Sequence, residues 1–364
     1  MISYADDSQK QALIPIWKAA FPNDSDAFVD FYFEKKYRSD NTLLLFKDNK
    51  IVSCLQMLPY KMTYYKHFIN TAYISGAATL PDCQNQGLMQ TLLAHALGEM
   101  KKKGNFLTTL IPQTPRLIDF YKKFGYTPCF EYQLTAINPN DYPQFPDKIR
   151  FKEFELSDTR LAYLLYNRYL IRKNMCIQKS ITDFAVMAQV CQNFDGNVYV
   201  LLDKGEMVGV CFCAFSNGMV LLKDCFCAAD YRQYFLSKLT QRFNSQIIFA
   251  SSSRSAETMP TWVSTQGMAR ILDAPKLLTL FAKAYPQAEF TLKIEDEYIL
   301  ENNLRLIVSH GEVRKDTAQD AATVDFELSI EQLTQLLLGY RTASLEGKYA
   351  VFPQQHPYMS LMLE

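Results

Sequence analysis

Histidine is scarce in this sequence: His67, His95, His310 and His356 are the only four in 364 residues, and they are scattered. None has a recognisable serine or cysteine nucleophile as a partner, so no relay for nucleophilic hydrolysis is indicated. His95 reads as an ordinary helix-face residue. Net charge is missing too, since 38 Lys+Arg balance 38 Asp+Glu. Without a basic surplus there is no electrostatic footprint for a nucleic-acid partner, whose affinity rests on neutralising phosphates. Long apolar runs are absent as well; nothing approaches the roughly 18 residues of a membrane span. The first residues, 1–7, are polar and acidic, with neither the basic n-region nor the apolar h-region of a secretion signal. Nine cysteines, an odd number, form no dense framework. That usage fits reduced thiols and a cytoplasmic location better than a secreted disulfide scaffold. What is present is core material, 48% hydrophobic and 13% aromatic residues. At about 100–200 residues per domain, the length predicts two or three domains.

Leu13, Ile14, Ile16, Trp17 and Ala20 recur at helical spacing over 7–20, and Pro22-Asn23-Asp24 ends that helix. A second helix is expected from Ser25 or Asp26 to Lys36. Strands are expected at 42–47 and 51–65, around the turn Asp48-Asn49-Lys50, and at 72–80. A loop at 81–86 leads to a helix from Gly87 to about Lys103, a buried strand at 106–111 and a short helix at 115–124. Pro139, Pro143 and Pro146 mark a boundary. Helices follow at 158–169 and 181–190, and then the earlier pattern returns. Strands at 197–202 and 207–215 flank a turn at 203–206, a strand follows at 219–227, and then a helix to Phe243 and a strand at 246–250. This reads as an internal duplication. The last third predicts an amphipathic helix over 268–285 and alternating strands at 290–294, 304–309 and 323–328. A final helix over 329–338 is capped by Ser329 and closed by Gly339. The fold class is therefore α/β followed by α+β, with mixed sheets flanked by helices.

The strongest local signal is Leu80-Pro81-Asp82-Cys83-Gln84-Asn85-Gln86-Gly87-Leu88-Met89. A strand ends, a polar loop follows, and a glycine opens a helix. Free N–H groups at a helix start form an anion site, and glycine lets a phosphate reach the main chain. No Gly-Lys-Ser/Thr follows, so it is not a Walker A loop, and it lacks the Rossmann fingerprint. An ordinary strand–loop–helix connection accounts for this segment equally well when it is taken alone.

With the downstream segment added, the sequence resembles the GNAT superfamily of acetyl-CoA-dependent N-acetyltransferases. Gln84-x-x-Gly87-x-Met89 fits the first two anchors of the family's Arg/Gln-x-x-Gly-x-Gly/Ala hallmark. Phe120-Tyr121-Lys122-Lys123-Phe124-Gly125-Tyr126 is similar to its Phe-Tyr-x-x-x-Gly-Phe/Tyr segment. Met89 replaces the usual small residue, a departure shared by the enhanced-intracellular-survival (Eis-like) branch. The whole chain resembles that branch in plan: a catalytic GNAT domain at 1–137, a degenerate second GNAT-like domain at 138–258, and a sterol-carrier-like domain at 259–364. In the second copy Phe235 aligns with Gly87, and its ring is expected to fill the phosphate cradle. Such a copy is structural or walls the acceptor pocket.

The resemblance implies acetyl-CoA as co-substrate, with the pantetheine arm on the strand at Ala77 and Thr79. It also implies that the diphosphate lies on the amides of Gln84, Asn85, Gln86, Gly87, Leu88 and Met89. Glutamines at 84 and 86, where many relatives carry arginine, shift the load to main-chain donors. Tyr121 matches the family's general acid, with Tyr126 in reserve, and the terminal carboxylate of Glu364 is implied as base. Asp24 and Asp26 are candidate amine-facing carboxylates, although such residues often serve as solvated caps. The implied partner is a primary amine, either a small polyamine or aminoglycoside-like molecule or a protein lysine. A homo-oligomer, a hexamer in that branch, is implied, with no nucleic acid or membrane partner. The alternative reading is a non-catalytic module that binds acyl-CoA or a lipid. Cys211-Phe212-Cys213 and Cys225-Phe226-Cys227 place thiols on one face of each strand, which reads as a buried thiol patch rather than a metal site.

Overall fold

The computed structural model describes residues 1–137, 148–216, 219–243, 248–252, 261–317 and 323–359. The three boundary prolines, Pro139, Pro143 and Pro146, lie outside these residues. The chain divides into two compact units, one of residues 1–129 and 267–357, the other of residues 130–266 with Tyr358 and Met359.

The first unit begins with β1 (Ile2–Tyr4), α1 (Lys10–Ala20) and α2 (Asp26–Lys35). Ser25 caps α2 by accepting from the Phe28 amide. β2 (Thr42–Lys47) and β3 (Lys50–Tyr64) are joined by Asp48 and Asn49, whose φ values of 51° and 58° are those of a two-residue type I′ turn. Tyr65 and Lys66 make a second left-handed turn, at 43° and 68°, and pair Tyr64 with His67. β4 (His67–Thr79) therefore starts well before the expected residue 72. α3 (Leu88–Lys102), β5 (Leu107–Leu110) and α4 (Pro115–Lys122) follow. Within this unit the sheet runs β1-β2-β3-β4-β5, with β4 and β5 parallel and α3 as their crossover. Leu92, Leu93, Ala96, Leu97 and Met100 form the buried stripe of α3 and pack with Leu55, Met57 and Ile74.

β6 (Thr127–Ile137) carries the chain into the second unit. That unit holds β7 (Ile149–Glu153), α5 (Thr159–Leu170), β8 (Ile177–Gln178), α6 (Ile181–Val190), β9 (Gly196–Asp203), β10 (Glu206–Ser216), β11 (Met219–Cys227), α7 (Ala229–Phe243) and β12 (Ile248–Ser252). Its sheet runs β6-β12-β11-β10-β9-β7. The order β9–β10–β11–α7–β12 repeats β2–β3–β4–α3–β5, down to the parallel last pair and a left-handed hairpin turn at Lys204 and Gly205. The expectation for Phe235 is corrected. α7 starts almost directly after β11, whereas residues 80–87 separate β4 from α3. Phe235 thus falls inside a helix, fully buried, and covers Gly209, where an added Cβ would lie 2.4 Å from its ring. The second copy has no cradle loop to fill.

The thiols do form one patch. Cys211 and Cys225 are cross-strand partners, with Sγ–Sγ distances of 3.9 Å for Cys211–Cys213 and 3.5 Å for Cys225–Cys227. Burial pushes the Cys211 thiol well above its ordinary range. Among the described residues no group of three or more His, Cys, Asp or Glu is placed to hold a metal.

The chain returns through β13 (Thr261–Ile271), whose end pairs antiparallel with β5, and continues as α8 (Ala274–Ala284), β14 (Phe290–Glu295), β15 (Arg305–Ser309), β16 (Glu312–Lys315), β17 (Phe326–Ser329) and α9 (Ile330–Leu337). The expected helix over 268–285 is therefore two elements. A strand buried on both faces loses its alternation and reads as a helical run. The break lies at Asp273, which accepts from the Lys276 amide just before Pro275 in the first turn. A four-stranded sheet in the order β16-β15-β14-β17 completes this part. Its interior is filled by Phe281, Phe290, Phe326 and Phe352, with ring centroids 5.3–5.5 Å apart along the 281–352–290–326 chain. Ser329 and Gln332 form the capping box of α9. Among the described residues no helix is long and apolar enough to cross a membrane.

Candidate active site

β4 and β5 pair in parallel only from Thr71 to Tyr73, opposite Leu107 to Thr109, although β4 continues to Thr79. β5 ends at Leu110, and β4 runs on past it through a bulge. Cys54 pairs with Ala78, but Gln56 pairs with Ser75, so β4 holds one extra residue at Gly76. Gly76 sits at φ 57°, and an added Cβ would meet Trp17 Cζ3 at 2.4 Å. Only glycine satisfies both demands. Past the bulge, the Leu80 amide donates to the Val52 carbonyl of β3 at 2.9 Å. By alternation, the main-chain groups of Ala77 and Thr79 turn to the open side of β4. The Thr79 carbonyl already accepts from Gln84 Nε2 at 3.2 Å, which leaves Ala77 the freer of the two.

Gly87, at φ 75°, caps α3 without a side-chain bond to its first turn. An added Cβ there would find only Gln90 Oε1, at 3.5 Å, so the space before the helix is open. Asn85 is left-handed too, at 59°. The loop is braced from within, since Gln86 Nε2 donates to the Asp82 carbonyl at 3.2 Å. Lys47, at the end of β2, donates to Gln86 Oε1 at 2.7 Å and brings a cation to a loop that has none of its own, its polar side chains being the amides of Gln84, Asn85 and Gln86 and the carboxylate of Asp82. Sequence reasoning missed Lys47 because it lies 39 residues upstream. Leu88 and Met89 pack against the hydrophobic core beside α3.

Tyr121 lies on α4 in the same core, its ring 5.2 Å from Phe120 and 5.7 Å from Tyr126. It is 8% exposed, and burial pushes its hydroxyl up to about 12. Among the described residues no hydrogen bond engages that hydroxyl. Tyr126 is fully buried and donates to Thr108 Oγ1 at 3.3 Å, as a core residue does. Asp24 accepts from Trp17 Nε1 at 2.7 Å, and Asp26, on the first turn of α2, pairs with Lys18 at 2.7 Å. Glu364 lies outside the described residues. The chain leading to it is held at Tyr358, whose amide and carbonyl bond Met175 and Ile177 at 2.9 and 3.0 Å and whose hydroxyl donates to Asp224.

Residues 1–129 match the family model of an acetyltransferase (GNAT) domain, and residues 275–347 that of a sterol carrier protein domain. No curated protein matches the sequence. Among solved structures, a conserved protein of unknown function from Enterococcus faecalis V583, described as a probable N-acyltransferase, is similar at 16% identity. The likeness covers 100% of this chain and 99% of that one, with TM-score 0.81. A GCN5-related N-acetyltransferase from Anabaena variabilis is similar at 16% identity over 99% and 98% of the chains, with TM-score 0.78. Eis1 from Mycobacterium abscessus is similar at 12% identity over 100% of both chains, with TM-score 0.77. At these identities the likeness speaks for the fold. The two domain matches give this chain an acetyltransferase (GNAT) domain at residues 1–129, where β4 outruns β5 before a glycine-opened helix, and a sterol carrier protein domain at residues 275–347.

Proposed function

We propose that the protein transfers the acetyl group of acetyl-CoA to a primary amine by direct attack. The observation that carries this reading is the gap beside β4 beyond Tyr73, which leads to the uncapped first turn of α3. An extended pantetheine arm fits there as an added strand on Ala77, and the diphosphate fits the amides from Asn85 to Met89, the Gln84 amide being already donated to the Pro81 carbonyl at 3.2 Å. The open space before Gly87 admits a phosphate that a Cβ would obstruct.

The amine nitrogen forms a bond to the thioester carbonyl carbon, the C–S bond breaks, and the electron pair leaves on sulfur. Tyr121, neutral at pH 7 as any phenol is and pushed further up to about 12 by burial, is the proton donor assigned to that sulfur. Against a thiol of about 8.5 its proton alone would move uphill. It therefore hydrogen-bonds the departing thiolate, and its proton passes as the new ammonium releases its own. The carboxylate of Glu364 is the proposed acceptor of the latter, with Asp24 and Asp26 attracting the cationic amine. The acceptor class is a small polyamine or aminoglycoside-like amine, or a lysine. Residues 1–137 serve as the catalytic domain, 138–258 as a degenerate GNAT-like domain and 259–364 as the sterol-carrier-like domain. The phenylalanine-filled interior of the last favours a structural role over lipid carriage.

Thermal shift with acetyl-CoA and with fatty acids, followed by thiol release over an amine panel, tests this. A shift with acetyl-CoA and amine-dependent release are expected. No shift with any CoA ester overturns the reading.

A further inference from the structure

The hairpin of β2 and β3 carries a feature that strand pairing alone disfavours. Lys47 and Lys50 are direct cross-strand partners on either side of the Asp48-Asn49 turn. Like charges placed opposite one another destabilise a ladder. Both side chains are exposed, and among the described residues neither is ion-paired. The antiparallel pairing of Ser53 with Thr79 brings the start of β3 to the end of β4, so this hairpin tip stands beside the loop 80–87. The contact is direct, because Lys47 Nζ lies 2.7 Å from Gln86 Oε1. Gln86 is itself fixed on the Asp82 carbonyl, so the amide oxygen holds the ammonium at the loop and leaves its other N–H donors free. Asp48 is the one carboxylate of the segment 42–50, and it sits at the turn itself.

We propose that Lys47, held by Gln86 and joined by Lys50, forms a cationic clamp on the phosphates of acetyl-CoA. It supplies from a neighbouring hairpin the charge that Gln84 and Gln86 do not. This rests on the acetyl-CoA reading above. Coenzyme A carries two phosphate sources, the diphosphate bridge and the ribose phosphate. A cradle without cations, here with the Asp82 carboxylate in its loop, binds such a ligand by main-chain amides alone; two ammonium groups convert the same cradle to a salt-sensitive one. Gln86 is a positioning residue here, since it acts through Lys47.

The test measures acetyl-CoA and dephospho-CoA affinity by calorimetry, and steady-state rates, for the full-length wild type, Lys47→Ala, Lys47→Arg, Lys50→Ala and Lys61→Ala. Lys61 is an exposed lysine of β3 far along the strand from the turn and serves as the charge control. Lys47→Ala is expected to weaken acetyl-CoA binding by about tenfold, to flatten its salt dependence and to leave saturated turnover unchanged; Lys47→Arg keeps most of the affinity. Loss of discrimination between acetyl-CoA and dephospho-CoA in Lys50→Ala assigns Lys50 to the ribose phosphate. Equal loss for both ligands assigns it to the diphosphate, and no loss for either removes it from the clamp. Wild-type affinity in Lys47→Ala, or an equal loss in Lys61→Ala, overturns the clamp while leaving the acetyltransferase reading intact. A wild type that binds no CoA ester overturns that reading instead.

Discussion

Arg270 donates to Asp296 at 2.6 Å with both side chains wholly shut off from solvent. The guanidinium also donates to the carbonyls of Phe124, at 2.5 Å, and Ile271, at 2.8 Å. Asp296 accepts in addition from the amides of Tyr298 and Ile299 and from Asn302 Nδ2. Desolvation pulls the Arg270 pKa down, and the neighbouring carboxylate opposes that pull. The pair thus ties the Phe124-Gly125 turn of the acetyltransferase domain to the loop after β14. Gly125 lies in the same knot at φ 77°, where an added Cβ would stand 2.5 Å from Ile330 Cγ2.

Breaking this pair on one side leaves a buried carboxylate unpaired. Arg270→Met is expected to lower the unfolding free energy by about 3–5 kcal/mol in urea titration. Replacing both partners with apolar residues is expected to cost less than the single change. A single variant as stable as wild type would show that the pair holds nothing.

Gly87→Ala separates fold from cofactor binding. The left-handed φ of 75° costs alanine about 1 kcal/mol, and the new methyl meets nothing closer than 3.5 Å. Melting is expected to shift only slightly, while calorimetric affinity for acetyl-CoA falls by about tenfold. Unchanged affinity would place the phosphates elsewhere.

Tyr121→Phe keeps the ring packing and removes the hydroxyl. Saturated turnover is expected to fall by about a hundredfold, with the acetyl-CoA KM little changed. The raised value, about 12 in the fold against about 10 in the unfolded chain, also has a stability sign. The unfolded phenol ionises first as pH rises. The contribution is therefore complete below pH about 10 and is lost as pH climbs through 12. Urea midpoints taken at rising alkaline pH should fall less steeply in Tyr121→Phe than in wild type.

Phe235→Ala opens a cavity under Gly209 in the second unit. A loss of about 3–5 kcal/mol in unfolding free energy is expected, without change in acetyl-CoA affinity. An affinity loss at retained fold would give the second copy a part in the cofactor site.

Much of this was legible residue by residue. Ser25, Ser329 and Gly87 mark helix starts by side-chain chemistry or by a glycine that the turn requires. The helix expected from Gly87 to about Lys103 is α3, Leu88–Lys102. Arg270 was hidden, because a charged residue inside an apolar stretch reads as the polar face of a helix. Only the carbonyls of Phe124 and Ile271 and the carboxylate of Asp296 make it a strand residue. Phe235 was misplaced because counting from one copy to the next assumes equal loops, and the second copy has no loop there.

By itself, the sequence determined the helices and hairpins of residues 1–129 and the motif, since caps, turns and periodicity act between residues a few positions apart. The balanced charge and the neutral Gln84 and Gln86 were likewise plain from the residues alone. Tertiary structure alone decided the bulge at Gly76, the early end of β4–β5 pairing and the arrival of Lys47 at Gln86. Each depends on the register between strands far apart in the chain, and register is set by the packing of whole faces rather than by any local run of residues.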